Sequence, residues 1–304
     1  MTTSTTTTTT TTATTARASK AATPSLPMLS VRTIAALARK EVRESLRNRW
    51  FLFYTVAFTV LSLALSYVSL AGTGSVGFAG FGRTAAGLIN LVLLIVPLMG
   101  LTIGAGSLSA EQENGTLAYL IAQPLGRIEV LLGKFLGLGL AMFASLAMGF
   151  GVCAGVIALR AGGGNASSFL GVLWMAMLLA LAMLSVGVLI STLTRRAAVA
   201  TGTAVFLWLT LVFLGDLGLM GGSVVFKLRV DELFHLSLIN PLQVFKMSAI
   251  GSFDATLDVL GPAGLYAMRT YGDSLQAVLI AVLIGWSVVP LSVAALILHR
   301  KSIT

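Results

Sequence analysis

Charged side chains are scarce in this sequence: Asp, Glu, Lys and Arg make up 10% of its 304 residues, whereas 56% are hydrophobic. Soluble globular domains carry about 25% charged residues, so a soluble protein is excluded. The mean hydropathy of +0.93 predicts an integral membrane protein instead. The net charge of +9 comes from basic residues next to hydrophobic runs, which indicates contact with anionic lipid rather than nucleic acid.

Residues for disulfide, metal and nucleotide chemistry are also few. One cysteine excludes a disulfide within the chain and a cysteine-cluster metal site. The sequence has no G-x-x-x-x-G-K-[ST] phosphate loop and no H-E-x-x-H motif, and His235 and His299 are predicted on opposite sides of the membrane. Met175, Met177 and Met183 share one hydrophobic run, where methionine is usually packing rather than a metal ligand. We therefore predict no catalytic residue, metal or cofactor in this chain.

The first 29 residues form a Thr-rich tail of low complexity, which we predict to be disordered and cytoplasmic. From Ser30 to Arg49, by contrast, hydrophobic and basic residues fall on opposite sides of a helix. This pattern predicts an amphipathic elbow helix in the headgroup plane, which also offers a surface to a cytoplasmic partner. The hydrophobic stripe holds Val31, Ile34, Ala35, Ala38, Val42 and Leu46, and the polar side holds Arg32, Arg39, Lys40, Arg43, Glu44 and Arg47.

Six hydrophobic runs follow, each long enough for the roughly 20 residues that cross a bilayer. Residues 30–304 are therefore predicted to form one all-α polytopic domain. Pro97 is expected to kink the second span as a packing feature rather than a gate. Asp216, the acid inside a predicted span, lies near its outer boundary and is interpreted as an interfacial anchor. The predicted spans are residues 50–70, 85–108, 130–158, 169–193, 197–220 and 275–298.

Lys and Arg are distributed unevenly between the segments that connect the spans. If the N-terminus is cytoplasmic, the inner segments hold 14 of the 20 basic residues and the outer segments hold six. The positive-inside rule then places both termini, and the segment between the second and third spans, on the cytoplasmic side of the plasma membrane. The acidic segment Gly221–Ser274 is predicted to be extracytoplasmic.

The segment between the second and third spans is polar at its start and hydrophobic on one side afterwards. Leu117, Leu120 and Ile121 have the i, i+3, i+4 spacing of a helix face. Glu111 and Glu113 would lie in the first turn, where the helix dipole favours negative charge. We predict a short cytoplasmic helix whose hydrophobic face fits a soluble partner.

In the last outer segment, Asn240 and Pro241 have the pattern of a helix N-cap followed by proline at the first helical position. This pattern predicts a helix to about Ile250, and residues 229–238 predict another. The two helices would form either a docking platform, with Asn240 and Pro241 contacting an outer partner, or a lid over the span ends.

Small residues repeat at every fourth position of the third span. Such a stripe lets helices approach closely in lipid, and we expect the neighbouring helices to belong to the same chain rather than to a second copy. The stripe consists of Gly133, Gly137, Ala141, Ser145 and Gly149.

Four sequence blocks together carry a family resemblance: LARKEVRESLRNRW at residues 37–50, E-x-E-x-G-T-L at 111–117, P-L-G-R at 124–127 and L-L-G-K-F at 131–135. With the six predicted spans, the chain resembles permease subunits of the ABC-2 exporter superfamily over roughly residues 31–300. Within that superfamily it is similar to permeases that support copper-site maturation of nitrous oxide reductase.

The resemblance implies a dimer of permeases on two cytoplasmic ATPase subunits, which would bind ATP and magnesium, and a periplasmic maturation protein as a further partner. The family's Asn-Pro-x-Asp element is incomplete here because Gln243 replaces the acid, which weakens any role inferred for that carboxylate. The elbow helix and the helix after the second span would contact the ATPase through Arg43, Arg47, Glu111, Glu113, Gly115, Thr116, Leu117 and Arg127.

Three functions stay open at this point. The chain is a permease for the copper enzyme, a generic ABC-2 exporter of a lipid, peptide or drug, or a membrane anchor for peripheral proteins. The lack of an obvious polar path through the spans favours an anchor, whereas the elaborate helix after the second span argues against it.

Overall fold

The computed structural model describes residues 31–71, 78–116, 126–161, 166–224, 229–251 and 262–300. Within these ranges the chain is helical and contains no strand, which confirms the all-α class. The predicted tail and the helix face at Leu117, Leu120 and Ile121 lie outside the described residues. The helices are α1 (Val31–Ser45), α2 (Arg49–Ala71), α3 (Phe78–Glu113), α4 (Arg127–Ala161), α5 (Ala166–Leu193), α6 (Ala197–Val224), α7 (Val230–Ile239), α8 (Pro241–Gly251), α9 (Pro262–Tyr271) and α10 (Leu275–Arg300).

Six of these helices are long and apolar enough to cross a membrane: α2, α3, α4, α5, α6 and α10. The predicted number of spans is therefore confirmed. Helix α3 runs from Phe78 to Glu113 and therefore extends beyond the predicted second span at both ends. Pro97 lies inside α3 and does not end the helix.

Helices α3 and α5 form the centre of the bundle. Over its most hydrophobic stretch, 72% of α5 is buried, compared with 11% of α6 and 17% of α10. An added Cβ at Gly104 of α3 would lie 2.6 Å from the carbonyl oxygen of Leu184, so the two backbones are in direct contact. Close backbone packing is how helices associate in lipid, where the hydrophobic effect gives no driving force. Met175 and Met183 are buried in this core, in agreement with a packing role.

The stripe of small residues on α4 faces α1 and α2 of the same chain, as predicted. An added Cβ at Gly137 would lie 2.6 Å from the carbonyl oxygen of Ala38, so glycine is needed for α1 to approach α4. About two helical turns after Gly137, the Ser145 hydroxyl donates a hydrogen bond to the hydroxyl of Thr55 in α2, at 2.9 Å. The elbow helix is therefore packed against the third span.

Three short helices, α7 to α9, cover the end of the bundle opposite α1. The sequence predicts α7 and α8, whereas α9 is a helix that the turn signals on both sides of it did not reveal. Asn240 caps α8 as predicted: its Oδ1 accepts a hydrogen bond from the Leu242 amide at 3.0 Å, and its Nδ2 donates to the Leu211 carbonyl oxygen at 2.6 Å. Asn240 and Pro241 are both buried. Their contact with an outer partner stays a prediction.

Candidate coupling site at the elbow end

One end of the bundle, which we call the elbow end, gathers the segments that the sequence predicts on one membrane face. It consists of α1, the last turns of α3 and α5, the first turns of α4 and α6, and the last turn of α10. Ion pairs and hydrogen bonds between side chains and helix ends connect these segments.

Lys134 is at the centre of the elbow end. Its Nζ lies 2.7 Å from Glu41 Oε1 of α1 and 2.8 Å from Glu111 Oε1 of α3. The side chains are almost fully enclosed, with exposed fractions of 6% for Lys134, 8% for Glu41 and 17% for Glu111. We call this group the Lys134 triad. It connects the elbow helix, the second span and the third span through a single ammonium group.

The Lys134 triad carries two carboxylates for one ammonium. Removing an ion from water costs several kcal/mol, and only close opposite charges and hydrogen bonds offset that cost. Glu111 Oε1 and Glu41 Oε1 are both compensated by Lys134, whereas Glu111 Oε2 is buried without a hydrogen-bond partner among the described residues. The free energy of this cluster therefore depends strongly on Lys134 staying between both acids.

Glu41 and Lys134 are not among the site residues that the sequence predicts. The predicted hydrophobic stripe of α1 matches the buried face only in part: Ala38 is buried, but so are Glu41 and Ser45, which lie outside the stripe. Val31 is 77% exposed, and Leu46, directly after α1, is 57% exposed. The sequence does contain a signal for this site: Lys134 is the eighth residue of the hydrophobic helix α4. A lysine at such a position requires a carboxylate partner from a neighbouring helix.

The prediction that Glu111 and Glu113 lie in the first turn of a helix is wrong. They lie in the last turn of α3 and not in the first turn of a following helix. The helix continues because Ala, Glu and Gln are good helix formers and the first helix-ending residue is Gly115, which has φ 71°. Carboxylates at a helix C-terminus are unfavourable, and here other groups compensate them. Lys134 pairs with Glu111, and Glu113 Oε2 accepts a hydrogen bond from the Ala197 amide at 2.8 Å.

Glu113 thus caps the first turn of α6, where the positive end of a helix dipole favours a carboxylate. Arg127 has the opposite role on α10: its Nη1 donates to the carbonyl oxygens of Leu298 and His299, at 3.1 and 3.2 Å. A cation at a helix C-terminus satisfies carbonyl groups that have no partner within the helix. Both residues therefore tie neighbouring helix ends together, and their predicted contact with an ATPase stays a prediction.

Ser191 joins α5 to the end of α3. Its hydroxyl oxygen accepts hydrogen bonds from the backbone amides of Leu108 and Ser109, at 2.8 and 2.7 Å. Gln112 Nε2 also donates to the Ser191 carbonyl oxygen at 3.2 Å. The last two turns of α3 are therefore bonded to α4, α5 and α6, and Lys134 of α4 connects them to α1.

Other residues predicted to contact an ATPase lie on the surface of the elbow end. Arg43 of α1 and Arg47, two residues after α1, are exposed, as are Gly115 and Thr116 directly after α3. The described residues contain no group of three His, Cys, Asp or Glu side chains arranged to bind a metal ion. The arrangement has the form of a protein-contact surface backed by a buried ionic cluster.

Comparison with known proteins agrees with this architecture. Residues 35–303 match the family described as ABC-2 family transporter protein. The chain is 32% identical over 275 residues to the probable ABC transporter permease protein NosY of Stutzerimonas stutzeri, covering 87% of this chain and 97% of that protein. It is 33% identical over 225 residues to the corresponding protein of Pseudomonas aeruginosa, covering 72% of this chain and 82% of that protein.

The chain therefore belongs to the ABC-2 family, as a multi-pass membrane permease subunit of an ABC transporter. In such a transporter the membrane subunit is distinct from the ATPase. At the elbow end, ion pairs and hydrogen bonds connect α1, α3, α4, α5, α6 and α10.

Proposed function

We propose that this permease transmits the ATP-driven cycle of a cytoplasmic ATPase across the membrane to support copper-centre assembly in nitrous oxide reductase. The observation that carries the proposal is the 32% identity to the NosY permease of Stutzerimonas stutzeri over 97% of its length. Copper is cargo for periplasmic proteins in this proposal.

The ATPase docks on the elbow end in this proposal. Its contact surface consists of exposed Arg43 of α1 and Arg47 just after it, together with Gly115, Thr116 and the hydrophobic face that the sequence predicts from Leu117 onward. Both parts of that surface lead directly to the Lys134 triad, because Glu41 belongs to α1 and Glu111 to the last turn of α3. A movement imposed by ATP binding would therefore shift the second and third spans together with the elbow helix.

Two copies of the permease form the membrane part of the complex in this proposal, with both termini in the cytoplasm of a bacterial cell and α7 to α9 in the periplasm. A periplasmic maturation protein docks on the surface of α7 to α9. The buried cap at Asn240 then holds α7 and α8 in the orientation that the partner meets.

An in-frame deletion of the gene tests the proposal. Nitrous oxide reductase from the deletion strain should be exported and folded, should lack its catalytic copper–sulfur centre and should retain its other copper site. Optical spectra and copper counts of the purified reductase measure this, with the wild-type chain reintroduced as the control. A reductase with both centres and normal turnover would contradict the proposal and indicate a generic ABC-2 exporter of a lipid, peptide or drug.

A further inference from the structure

The turn that joins α5 to α6 carries two arginines on the surface of the elbow end. Helix α5 ends at Leu193 and α6 begins at Ala197, so the turn consists of Thr194, Arg195 and Arg196. Both arginines are exposed. Within the ranges that the structure describes, neither of their side chains forms an ion pair.

Hydrogen bonds on both sides of the turn hold its backbone. Thr194 Oγ1 donates to the Ile190 carbonyl oxygen at 2.9 Å, and the Ala197 amide donates to Glu113 Oε2 at 2.8 Å. The second bond places the turn directly beside the last turn of α3, although Glu113 and Ala197 are 84 residues apart. The proposed ATPase contact begins at Gly115–Thr116, just after Glu113. The two arginines are therefore next to that contact in space.

The acidic side chains of the elbow end are already engaged with other groups. The described part of this end contains five carboxylates, and none of them is paired with Arg195 or Arg196. Residues 1–30, 117–125 and 301–304 contain no Asp or Glu. The five are Glu41 and Glu111 with Lys134, Glu44 with Lys40, Glu113 with the Ala197 amide and Glu129 with the Gly126 amide.

Cations dominate the exposed surface at and next to the elbow end. Nine exposed Lys and Arg side chains lie there among the described residues, compared with two exposed acids, Glu44 and Glu113. Such an excess of positive charge attracts an acidic partner and repels a basic one. The nine cations are Arg32, Arg39, Lys40, Arg43, Arg47, Arg49, Arg195, Arg196 and Arg300.

We propose that Arg195 and Arg196 form a second contact with the ATPase, in which their guanidinium groups pair with carboxylates on the ATPase surface. A planar guanidinium suits this contact, because it can form two parallel hydrogen bonds to one carboxylate. The inference rests on the proposed docking of the ATPase on the elbow end, and it identifies the adjoining ATPase surface as acidic. Anionic lipid headgroups carry the same charge, but the position of the turn beside Glu113 and Gly115 favours the protein.

The affinity of the ATPase for the full-length permease tests the contact. The permease is placed in nanodiscs of dioleoyl phosphatidylcholine, which has no net charge and so leaves the arginines free of anionic lipid. The double variant Arg195→Gln, Arg196→Gln should weaken ATPase binding by about three- to thirtyfold, the effect of losing two exposed ion pairs. The loss should become smaller at high salt, because salt screens exposed charges.

Two further double variants serve as controls. Arg195→Lys, Arg196→Lys keeps both charges and should retain most of the affinity. Arg229→Gln, Arg269→Gln removes two exposed cations from the opposite end of the bundle and should have no effect. Unfolding temperatures equal to that of the wild type would show that the variants are folded.

A cross-link identifies the partner group directly. A carbodiimide joins an amine to a carboxylate that contacts it. The Arg195→Lys, Arg196→Lys variant should therefore be linked through position 195 or 196 to an Asp or Glu of the ATPase, as mass spectrometry of the peptides would show. This arm keeps the test valid should the Arg195→Gln, Arg196→Gln variant fold poorly.

The results separate this inference from the docking on which it rests. Unchanged affinity of the Arg195→Gln, Arg196→Gln variant, together with loss of binding by Leu117→Asp, would overturn the inference alone and is the result expected if the arginines contact lipid headgroups. A complex that forms without a cross-link at position 195 or 196, or an equal loss for the Arg229→Gln, Arg269→Gln variant, would also overturn it. ATPase binding that survives Leu117→Asp would contradict the docking itself.

Discussion

Lys134 connects three helices because one ammonium group lies within 2.8 Å of carboxylates from two other helices. The missing side chains at Gly133 and Gly137 let α1 come close enough to α4 for Glu41 to meet the ammonium. Forming the cluster and removing its cation therefore have unequal effects on the free energy of unfolding. The intact cluster contributes little net stability, whereas loss of its single cation leaves two buried carboxylates uncompensated.

Lys134→Met should lower the free energy of unfolding by about 3–5 kcal/mol, the cost of leaving buried charges without a partner. Thermal unfolding of the purified permease in detergent measures the change. Lys40→Met is the matched control, because the Lys40–Glu44 pair is exposed and pairs of that kind contribute about 0–1 kcal/mol. The triple variant Lys134→Met, Glu41→Gln, Glu111→Gln should recover most of the loss. Equal unfolding temperatures for the Lys134 and Lys40 variants would show that the triad is not buried.

At the scale of elements, the contact between α1 and α4 determines the shape of the elbow end. An added Cβ at Gly137 would lie 2.6 Å from the Ala38 carbonyl oxygen and from Glu41 Cβ, closer than real Cβ atoms approach their neighbours. On the same helix, Gly151 has no atom within 4 Å of an added Cβ. A side chain at position 137 would therefore displace α1, whereas a side chain at position 151 of the same helix would meet no neighbour.

Gly137→Leu should push α1 away from α4 and separate Glu41 from Lys134. We expect a loss of about 1–3 kcal/mol from the overpacked contact, in addition to part of the loss seen for Lys134→Met. Gly151→Leu, which places the same side chain in open space on α4, should be close to neutral. Unfolding temperatures of the two variants check this, and similar values for both would contradict the close approach of α1.

The sequence predicts these elements with unequal success, for physical reasons. Long hydrophobic runs identify all six spans, and the Asn240-Pro241 pattern identifies the start of α8, because both signals are local. The sequence does not predict the end of α3 correctly, because polar residues indicate the end of a span, whereas an α-helix continues until a residue such as Gly115 ends it. The buried face of α1 is not predicted in full because Glu41 is buried against α4, where it meets Gly137 and Lys134, and Lys134 is 93 residues away.

At the scale of the whole molecule, the two ends of the bundle differ in the elements that close them. The elbow end is held by ions and helix caps, whereas the opposite end is covered by α7 to α9. Lys134 is one of the 14 basic residues counted on the inner side, but it is buried in a span. The prediction that the elbow end is cytoplasmic therefore depends on the other, exposed Lys and Arg residues at that end.

Reporter fusions test this orientation. A fusion after Thr304 should report cytoplasm, and a fusion within residues 254–261 should report periplasm, because Lys and Arg are retained on the cytoplasmic side during insertion. Alkaline phosphatase and green fluorescent protein activities give opposite readouts at each position. A cytoplasmic signal from the second fusion would reverse the topology.

The central claim is that a separate ATPase drives this permease through its elbow end, and Leu117→Asp tests it most directly. Leu117 lies outside the described residues, one position after Thr116, where the proposed docking face begins. A carboxylate buried in that contact without a partner should cost on the order of several kcal/mol, so the variant should insert normally and fail to co-purify with the ATPase. Leu117→Met keeps the volume and apolar character and should retain the ATPase. Co-purification and ATP turnover that are the same for wild-type, Leu117→Met and Leu117→Asp would contradict the claim.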